Sequence, residues 1–383
     1  MRMLKGSVAL LAAVVLASCG GGGGDAGTSL FGAGSGTAGG TAGGGGTGGT
    51  GGGTTTPATP TTPTTPTSPT TPSGGISTVG NGVPSQRFMS ISAETYNLDW
   101  GIDGITTQVN IFVADTAGNP VPNGSVVQFS TEGGQIVTSC LTTGIQSGSS
   151  VISGCDVTFN TQDYRPLDGL VRIIAWMHGD EAYKDLNANG AYDTGEPFID
   201  SGRIFRDDDD SGAYESDKDE LSIGATLTGA PGIGTSACAA APAAVNINEI
   251  PRSISDTCDG VWGKTLIRRT IVFPVSDPRY LGIAPVAGGV SVFTSFASPV
   301  LVAAPAGTTV SVLNAPAGCT IVISPATVGT TAIGPTVHTI TGTTAPAAAS
   351  APTAPDACAG KKVIAEAKFG TYPPVTAEYT FPP

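Results

Sequence analysis

Positive charge is scarce in this chain. It has 17 Lys and Arg against 30 Asp and Glu, a net charge of −13. Phosphate contacts need clustered basic side chains, so nucleic acid is excluded as a partner. Histidine is nearly absent, with only His178 and His338. A Ser-His-Asp set would have to use one of them, and no G-x-S-x-G stretch supplies a nucleophile. His178 reads as structural, and His338 as part of a strand. There is no C-x-x-C pair and no Cys/His cluster, which argues against zinc and redox sites. A glycoside hydrolase needs only two carboxylates, and the acidic residues near 180–220 could supply them. Gly229-Ala-Pro-Gly-Ile-Gly234 has a glycine spacing without the strand-to-helix context of a nucleotide loop. No segment sustains a helical period, and Gly (56) and Pro (29) together make up 85 of 383 residues, so helical bundles are excluded. Trp100, Trp176 and Trp262 read as core residues.

Only one apolar run is notable, and it is short. Arg2 and Lys5 precede an apolar stretch from Val8 to Ala17, the pattern of a secretory signal. The run ends in Leu16-Ala-Ser-Cys19, which resembles the lipobox of bacterial lipoproteins. That resemblance implies cleavage after residue 18 and lipidation of Cys19, with the membrane as a partner through the acyl chains. Gly20 after the cysteine resembles the pattern sent to the outer membrane in Gram-negative bacteria. Residues 1–18 are therefore expected to be a lipoprotein signal peptide, and 19–85 a lipid-anchored disordered linker.

The linker has two physical regimes. Gly20 to Gly53 holds 20 of the 56 glycines and should be a flexible coil reaching roughly 30 Å. From Pro57 to Pro72 proline recurs at every third position. This matches polyproline II, with about 3.1 Å of rise per residue and a semi-rigid length of roughly 60 Å.

Beyond residue 86, short runs of Val, Ile, Thr and Phe alternate with turns rich in Gly, Pro, Asn and Asp, so the fold is predicted to be all-β. Strands are expected around Val109–Ala114, Ser125–Ser130, Val157–Asn160, Leu170–Trp176, Thr265–Val275, Val290–Phe296, Thr309–Leu313, Thr320–Ile323 and Ala377–Phe381. The segment from Asn110 through Asp115-Thr-Ala-Gly-Asn-Pro-Val121 to Ser130 resembles the bacterial Ig-like domains of the invasin/intimin type. Those carry a D-x-x-G-N-P-V turn between their second and third strands. The resemblance covers roughly residues 88–177 and implies Ig-like β-sandwiches serving as spacers, adhesin stalks or recognition modules. The expected division is an Ig-like sandwich at 86–178, an acidic insertion at 179–220, strands returning to the first sandwich at 221–275 and a second Ig-like sandwich at 276–383.

Six cysteines remain after Cys19, an even number in an exported chain, which implies disulfides. Fifteen pairings are possible. Local spacing suggests Cys140–Cys155, Cys238–Cys258 and Cys319–Cys358. The first is expected to join two neighbouring strands.

The sharpest signal is acidic. Residues 180–220 hold fourteen acidic and four basic side chains. Within them, Asp185-Leu-Asn-Ala-Asn-Gly-Ala-Tyr-Asp-Thr-Gly-Glu196 matches the twelve-residue EF-hand calcium loop. Asp185, Asn187 and Asn189 fall at positions 1, 3 and 5, and Gly190 at the sharp turn. Ala191 offers a carbonyl at 7, with Asp193 at 9 and Glu196 at 12. Calcium takes six to eight hard oxygens, and alternate short side chains bring them inward. The flanks are not helical, so a calcium loop in a β context is expected. A second copy begins at Asp207 and repeats Gly-Ala-Tyr. It offers Asp207, Asp209, Ser211, Ala213 and Glu215. Its position 12 is Lys218, for which Asp217, Asp219, Glu220 or Asp200 could substitute. A solvated acidic loop would explain the charge but not the spacing.

The resulting expectation is a lipid-anchored, non-enzymatic surface protein, stabilised by calcium and structural or adhesive, with a cell-surface protein or polysaccharide as ligand. The alternatives are a calcium-dependent carbohydrate-binding module or an accessory domain of a polysaccharide hydrolase.

Overall fold

The computed structural model describes residues 80–147, 150–216, 219, 232–238, 245, 253–296, 299–344 and 357–383. The signal, Cys19 and the linker up to residue 79 lie outside the described residues, as do Asp217, Lys218 and Glu220.

Sixteen strands follow in chain order among the described residues. The first nine are β1 (Met89–Ala93), β2 (Thr106–Val113), β3 (Val126–Thr131), β4 (Gln135–Ile136), β5 (Ser139–Leu141), β6 (Thr143–Ser147), β7 (Ser150–Asn160), β8 (Leu170–Asp180) and β9 (Lys264–Pro274). The rest are β10 (Leu281–Val286), β11 (Gly289–Thr294), β12 (Thr309–Val312), β13 (Cys319–Ser324), β14 (Thr336–Thr344), β15 (Lys362–Lys368) and β16 (Val375–Thr380). The ladders between these strands are all antiparallel. Every expected strand is present. The strands that sequence reading left out are mostly short or polar, such as β1, β5 and β6.

In the first sandwich, sheet β1-β2-β7-β4, with β6 also on β7, faces sheet β5-β3-β8-β9. β2 alternates: Thr107, Val109, Ile111 and Val113 are buried while their neighbours are not. Successive side chains of a strand point to opposite faces, so this strand has one face on a core. Trp100, Phe159 and Phe273 fill the centre, with ring centroids 5.9 and 5.0 Å apart in turn. The Asp115 turn joins β2 to β3. Asp115 Oδ1 accepts from the amides of Ala117 and Asn119, both at 2.9 Å, and Gly118 takes φ +83°. A positive φ favours glycine, which explains that residue in the motif.

β8 behaves differently, with seven consecutive buried residues from Val171 to Met177. Val171, Ile173, Ala175 and Met177 enter the sandwich core. Ile174 and Trp176 face the other way and pack with Leu266 and Ile204. The insertion between β8 and β9 contributes Ile204 and forms a third layer on this sheet.

The second sandwich pairs sheet β10-β11-β14-β13 with sheet β12-β15-β16. Val290, Val292, Ile340, Val363, Ala365 and Tyr379 lie in its core. His338 is fully buried there. Its Nδ1 donates to the Pro325 carbonyl at 2.7 Å, and its Nε2 lies 3.0 Å from Thr336 Oγ1. Both nitrogens are engaged in structure.

The two sandwiches are joined closely. Buried Asn97 donates through Nδ2 to the carbonyls of Ala304 (2.7 Å) and Gly329 (3.0 Å). Ser276 Oγ donates to Ala303 O at 2.6 Å.

The three disulfides are Cys140–Cys155, Cys238–Cys258 and Cys319–Cys358, the pairs that local spacing suggests. One expectation is corrected. Cys140 is on β5 and Cys155 on β7, which belong to facing sheets. The bridge closes the sandwich rather than joining neighbouring strands of one sheet.

Candidate metal-binding loops

The insertion leaves β8 after Asp180 and re-enters β9 at Lys264. Its mouth is closed by Glu181 N donating to Gly263 O at 3.0 Å and Trp262 Nε1 donating to Glu181 O at 3.0 Å. The Glu181 carboxylate is buried and accepts from the amides of Ser201 (2.6 Å) and Gly263 (3.2 Å).

The first candidate loop follows. Asp185 Oδ2 accepts from Gly190 N at 2.8 Å, and Gly190 turns at φ +78°. Asn187 Oδ1 accepts from Asn189 N (3.1 Å), and Asn189 Oδ1 from Ala191 N (2.8 Å). Glu196, 7% exposed, reaches back across the loop. Its Oε1 accepts from Leu186 N at 2.7 Å and its Oε2 from Asp193 N at 3.0 Å. Asn187 and Asn189 thus meet Asp193, and Glu196 closes the loop through backbone amides, but the carboxylates of Asp185, Asp193 and Glu196 do not form a group within 4.8 Å of one another.

The second loop repeats the pattern. Asp207 Oδ2 accepts from Gly212 N at 2.8 Å, and Gly212 has φ +73°. Position 4 is left-handed in both, Ala188 at +59° and Asp210 at +55°. The missing position 12 is filled by Asp219, one of the four substitutes considered. Its Oδ1 accepts from Asp208 N at 2.9 Å and its Oδ2 from Glu215 N at 2.7 Å. These are loop positions 2 and 9, the same two amides that Glu196 holds in the first loop. Asp219 comes one residue later than the pattern requires, and its side chain is one methylene shorter. Asp207, Asp209 and Asp219 each offer an oxygen within 4.8 Å of the others. Asp200 is elsewhere: its Oδ2 accepts from Gly260 N at 2.9 Å. Ala213 O accepts from Ser211 Oγ at 2.9 Å.

The donor set suits a hard cation: the first loop offers carboxylate, amide and carbonyl oxygens, the second carboxylate, hydroxyl and carbonyl oxygens, and neither offers sulfur or imidazole. One adjustment is required. Asn187 Nδ2 and Asn189 Nδ2 both donate to Asp193 Oδ2, at 2.6 and 2.7 Å. A cation there needs the oxygen end of each amide, so both amides must turn about their last side-chain bond.

Anchors that sequence reading missed hold the loops to the sandwich. Each loop has Tyr at position 8, and both tyrosines pack inward. Tyr192 stacks on Trp262 at 4.6 Å and 14°, and Tyr214 meets Phe205 edge-on at 5.6 Å. Arg172 on β8, 3% exposed, donates to Asp210 Oδ1 and Oδ2 (3.1 and 2.8 Å) and to Asp208 O (2.6 Å). It also pairs with Glu132 and Asp168. Arg206 donates to Ser130 Oγ at 2.6 Å and pairs with Asp208. The repeated Gly-Ala-Tyr hinted at the tyrosines. Nothing local in sequence marked Arg172.

Burial raises two carboxyls. Glu132 is pushed up to about 7, by desolvation against the pull of Arg172 and with Asp208 adding repulsion. Glu181 is pushed up to about 8, chiefly by desolvation. Both lie above the ordinary value near 4.5, so the folded chain holds protons that the unfolded chain has released. Stability is therefore highest below about 4.5 for these groups and falls as pH rises through 7 and 8. Urea midpoints in EDTA are expected to drop between pH 5 and 9, and Glu181→Gln to flatten the upper part of that slope. A midpoint that rises over this range contradicts the assignment.

No family model matches the chain, and no curated protein matches its sequence. Among solved structures, the Yersinia pseudotuberculosis adhesin InvE is similar at 11% identity, with a TM-score of 0.21. The match covers 79% of this chain and 61% of that one, so the chain spans about three-fifths of the adhesin's length.

Proposed function

We propose that this chain is a lipid-anchored surface protein of a Gram-negative bacterium, structural or adhesive rather than enzymatic, whose insertion is set in place by calcium. The observation carrying this reading is that the insertion between β8 and β9 repeats one loop design, at 185–196 and again from Asp207 to Asp219. Each is closed by one carboxylate over the amides of positions 2 and 9. Residues 185, 187, 189, 191, 193 and 196 would hold one ion, and 207, 209, 211, 213, 215 and 219 a second. Calcium would neutralise a cluster whose carboxylates otherwise repel. Extracellular modules bind calcium at about 10⁻⁴–10⁻³ M, an affinity that suits a structural ion. The lipobox and the two-regime linker support attachment at Cys19 and a stalk that lifts the sandwiches off the membrane. No helix among the described residues is long and apolar enough to cross a membrane.

Two measurements test this together. Cells producing the full chain are expected to hold it in the outer-membrane fraction, and Cys19→Ser to release it in soluble form. The same cells are expected to adhere to a host-cell or biofilm-matrix layer in calcium and to detach in EDTA. Unchanged fractionation of Cys19→Ser removes the anchor, and adhesion equal to that of cells lacking the protein removes the adhesive role.

A further inference from the structure

We propose that the groove where the two sandwiches meet binds an uncharged polysaccharide. The inference rests on reading the chain as a ligand-binding surface protein, and it concerns a site separate from the calcium loops.

Position is the first argument. The described chain begins at the opposite end of the first sandwich, where Gly82 N donates to Asp115 and Ser85 bridges Asp180. β2 and β8 start at the groove end, at Thr106 and Leu170. The eleven residues of β8 separate the two ends by roughly 35 Å at about 3.3 Å each. A tether entering at residue 80 therefore presents the groove away from its anchor.

Shape is the second. The groove is an open depression of about 750 Å³ that takes its walls from both sandwiches, Asp103, Asp163, Tyr164, Arg165 and Leu167 on one side and Arg279 and Phe296 on the other. Small-ligand sites of about 300–1,000 Å³ favour such junctions. A protein partner needs a broad face of about 800 Å² per side with an apolar centre.

Chemistry is the third. Tyr164, 59% exposed, and Phe296 line the groove, and Tyr280 outside it backs Phe296 edge-on at 5.5 Å. Aromatic rings left open at a groove offer flat apolar faces, which fit the C–H face of a pyranose ring. The charges beside them are nearly balanced. Arg165 pairs with Asp103 at 2.6 Å and with Asp163, and Arg279 pairs with buried Asp277 at 2.5 Å. Three carboxylates stand against two guanidiniums, and this small negative excess disfavours an anionic ligand. The side chains of Asp103 and Asp163 are 61% and 84% exposed and keep free lone pairs beside guanidinium donors. Hydroxyl groups both donate and accept, so a dense polyol satisfies this set and a charged ligand does not.

The test is native electrophoresis of the detergent-solubilised full chain in gels cast with hydroxyethylcellulose, xyloglucan, galactomannan, dextran or the anionic polygalacturonate. Retardation is expected in at least one neutral polymer and not in polygalacturonate. Tyr164→Ala and Asp103→Ala are each expected to weaken it at least ten-fold with unchanged melting temperature, because both side chains are exposed. Absence of retardation in every neutral gel overturns the inference. So does retardation in polygalacturonate alone, or retardation that both variants leave intact. Calcium-dependent cell adhesion without any gel retardation sinks the groove and leaves the adhesive reading standing; retardation without cell adhesion does the reverse.

Discussion

Calcium at 10 mM is expected to raise the melting temperature of the full chain above its value in EDTA, and Glu196→Ala to remove about half of the rise. The size follows from linkage. A ligand that binds only the folded state stabilises it by RT ln(1 + [L]/Kd). With dissociation constants of about 10⁻⁴–10⁻³ M, each site contributes about 1.4–2.7 kcal/mol, or about 2–5 °C in a folded region of this size. Glu196 is the residue to change because its two oxygens close the first loop over Leu186 and Asp193. Its removal loosens the loop even without metal, so the informative quantity is the difference between calcium and EDTA within each variant. Asp219→Asn probes the second loop in the same way. It keeps the side-chain shape and one oxygen but gives up the charge. If the loops are independent, the two losses add. In EDTA the insertion should also release Ile174 and Trp176, which Ile204 covers, and a fluorescent apolar dye should bind. Identical melting temperatures in calcium and EDTA would reduce the insertion to a solvated acidic loop.

How much of this was legible depends on whether the signal was local. β2 could be read because its alternation reflects one buried and one open face. The turns of the first loop could be read because its polar side chains sit within twelve residues at fixed spacing. The second was only half legible: its closing carboxylate falls one place late, and spacing alone could not choose among Asp217, Asp219, Glu220 and Asp200. Folding chooses Asp219, whose oxygens reach the amides of Asp208 and Glu215. The run Val171–Met177 signals a strand but not why it is buried on both faces. The reason is a third layer supplied from beyond residue 180. The Cys140–Cys155 spacing revealed the pair but not that its two strands belong to facing sheets. The junction groove was not legible at all, since its walls come from segments more than a hundred residues apart.

Arg172→Ala is expected to cost about 3–5 kcal/mol in urea unfolding, far more than an arginine on the open face of a sheet would. On β8 its neighbours Val171 and Ile173 point into the sandwich, so Arg172 points outward, where a charged residue usually meets water. Here the second loop lies over it, and the guanidinium is 3% exposed. It satisfies Asp210, Asp168 and Glu132 and the carbonyl of Asp208 at once. Its loss leaves Glu132, whose side chain is 9% exposed, without the cation that pairs with it among the described residues. Burial already lifts the Glu132 carboxyl to about 7, so without Arg172 it takes up a proton, and the cost is chiefly that of the lost bonds to Asp210, Asp168 and the Asp208 carbonyl and of a buried acid without its partner. This can be separated by experiment. Arg172→Met with Glu132→Gln replaces both charges by groups of similar length, and it is expected to recover most of the stability. It should not recover calcium binding at the second loop, because Asp210 and the Asp208 carbonyl still lose the guanidinium that holds them over β8. Calorimetric titration of the double variant is therefore expected to keep the first site and weaken the second. A double variant that stays as unstable as Arg172→Ala would mean that packing beneath the insertion, and not charge, is what Arg172 supplies.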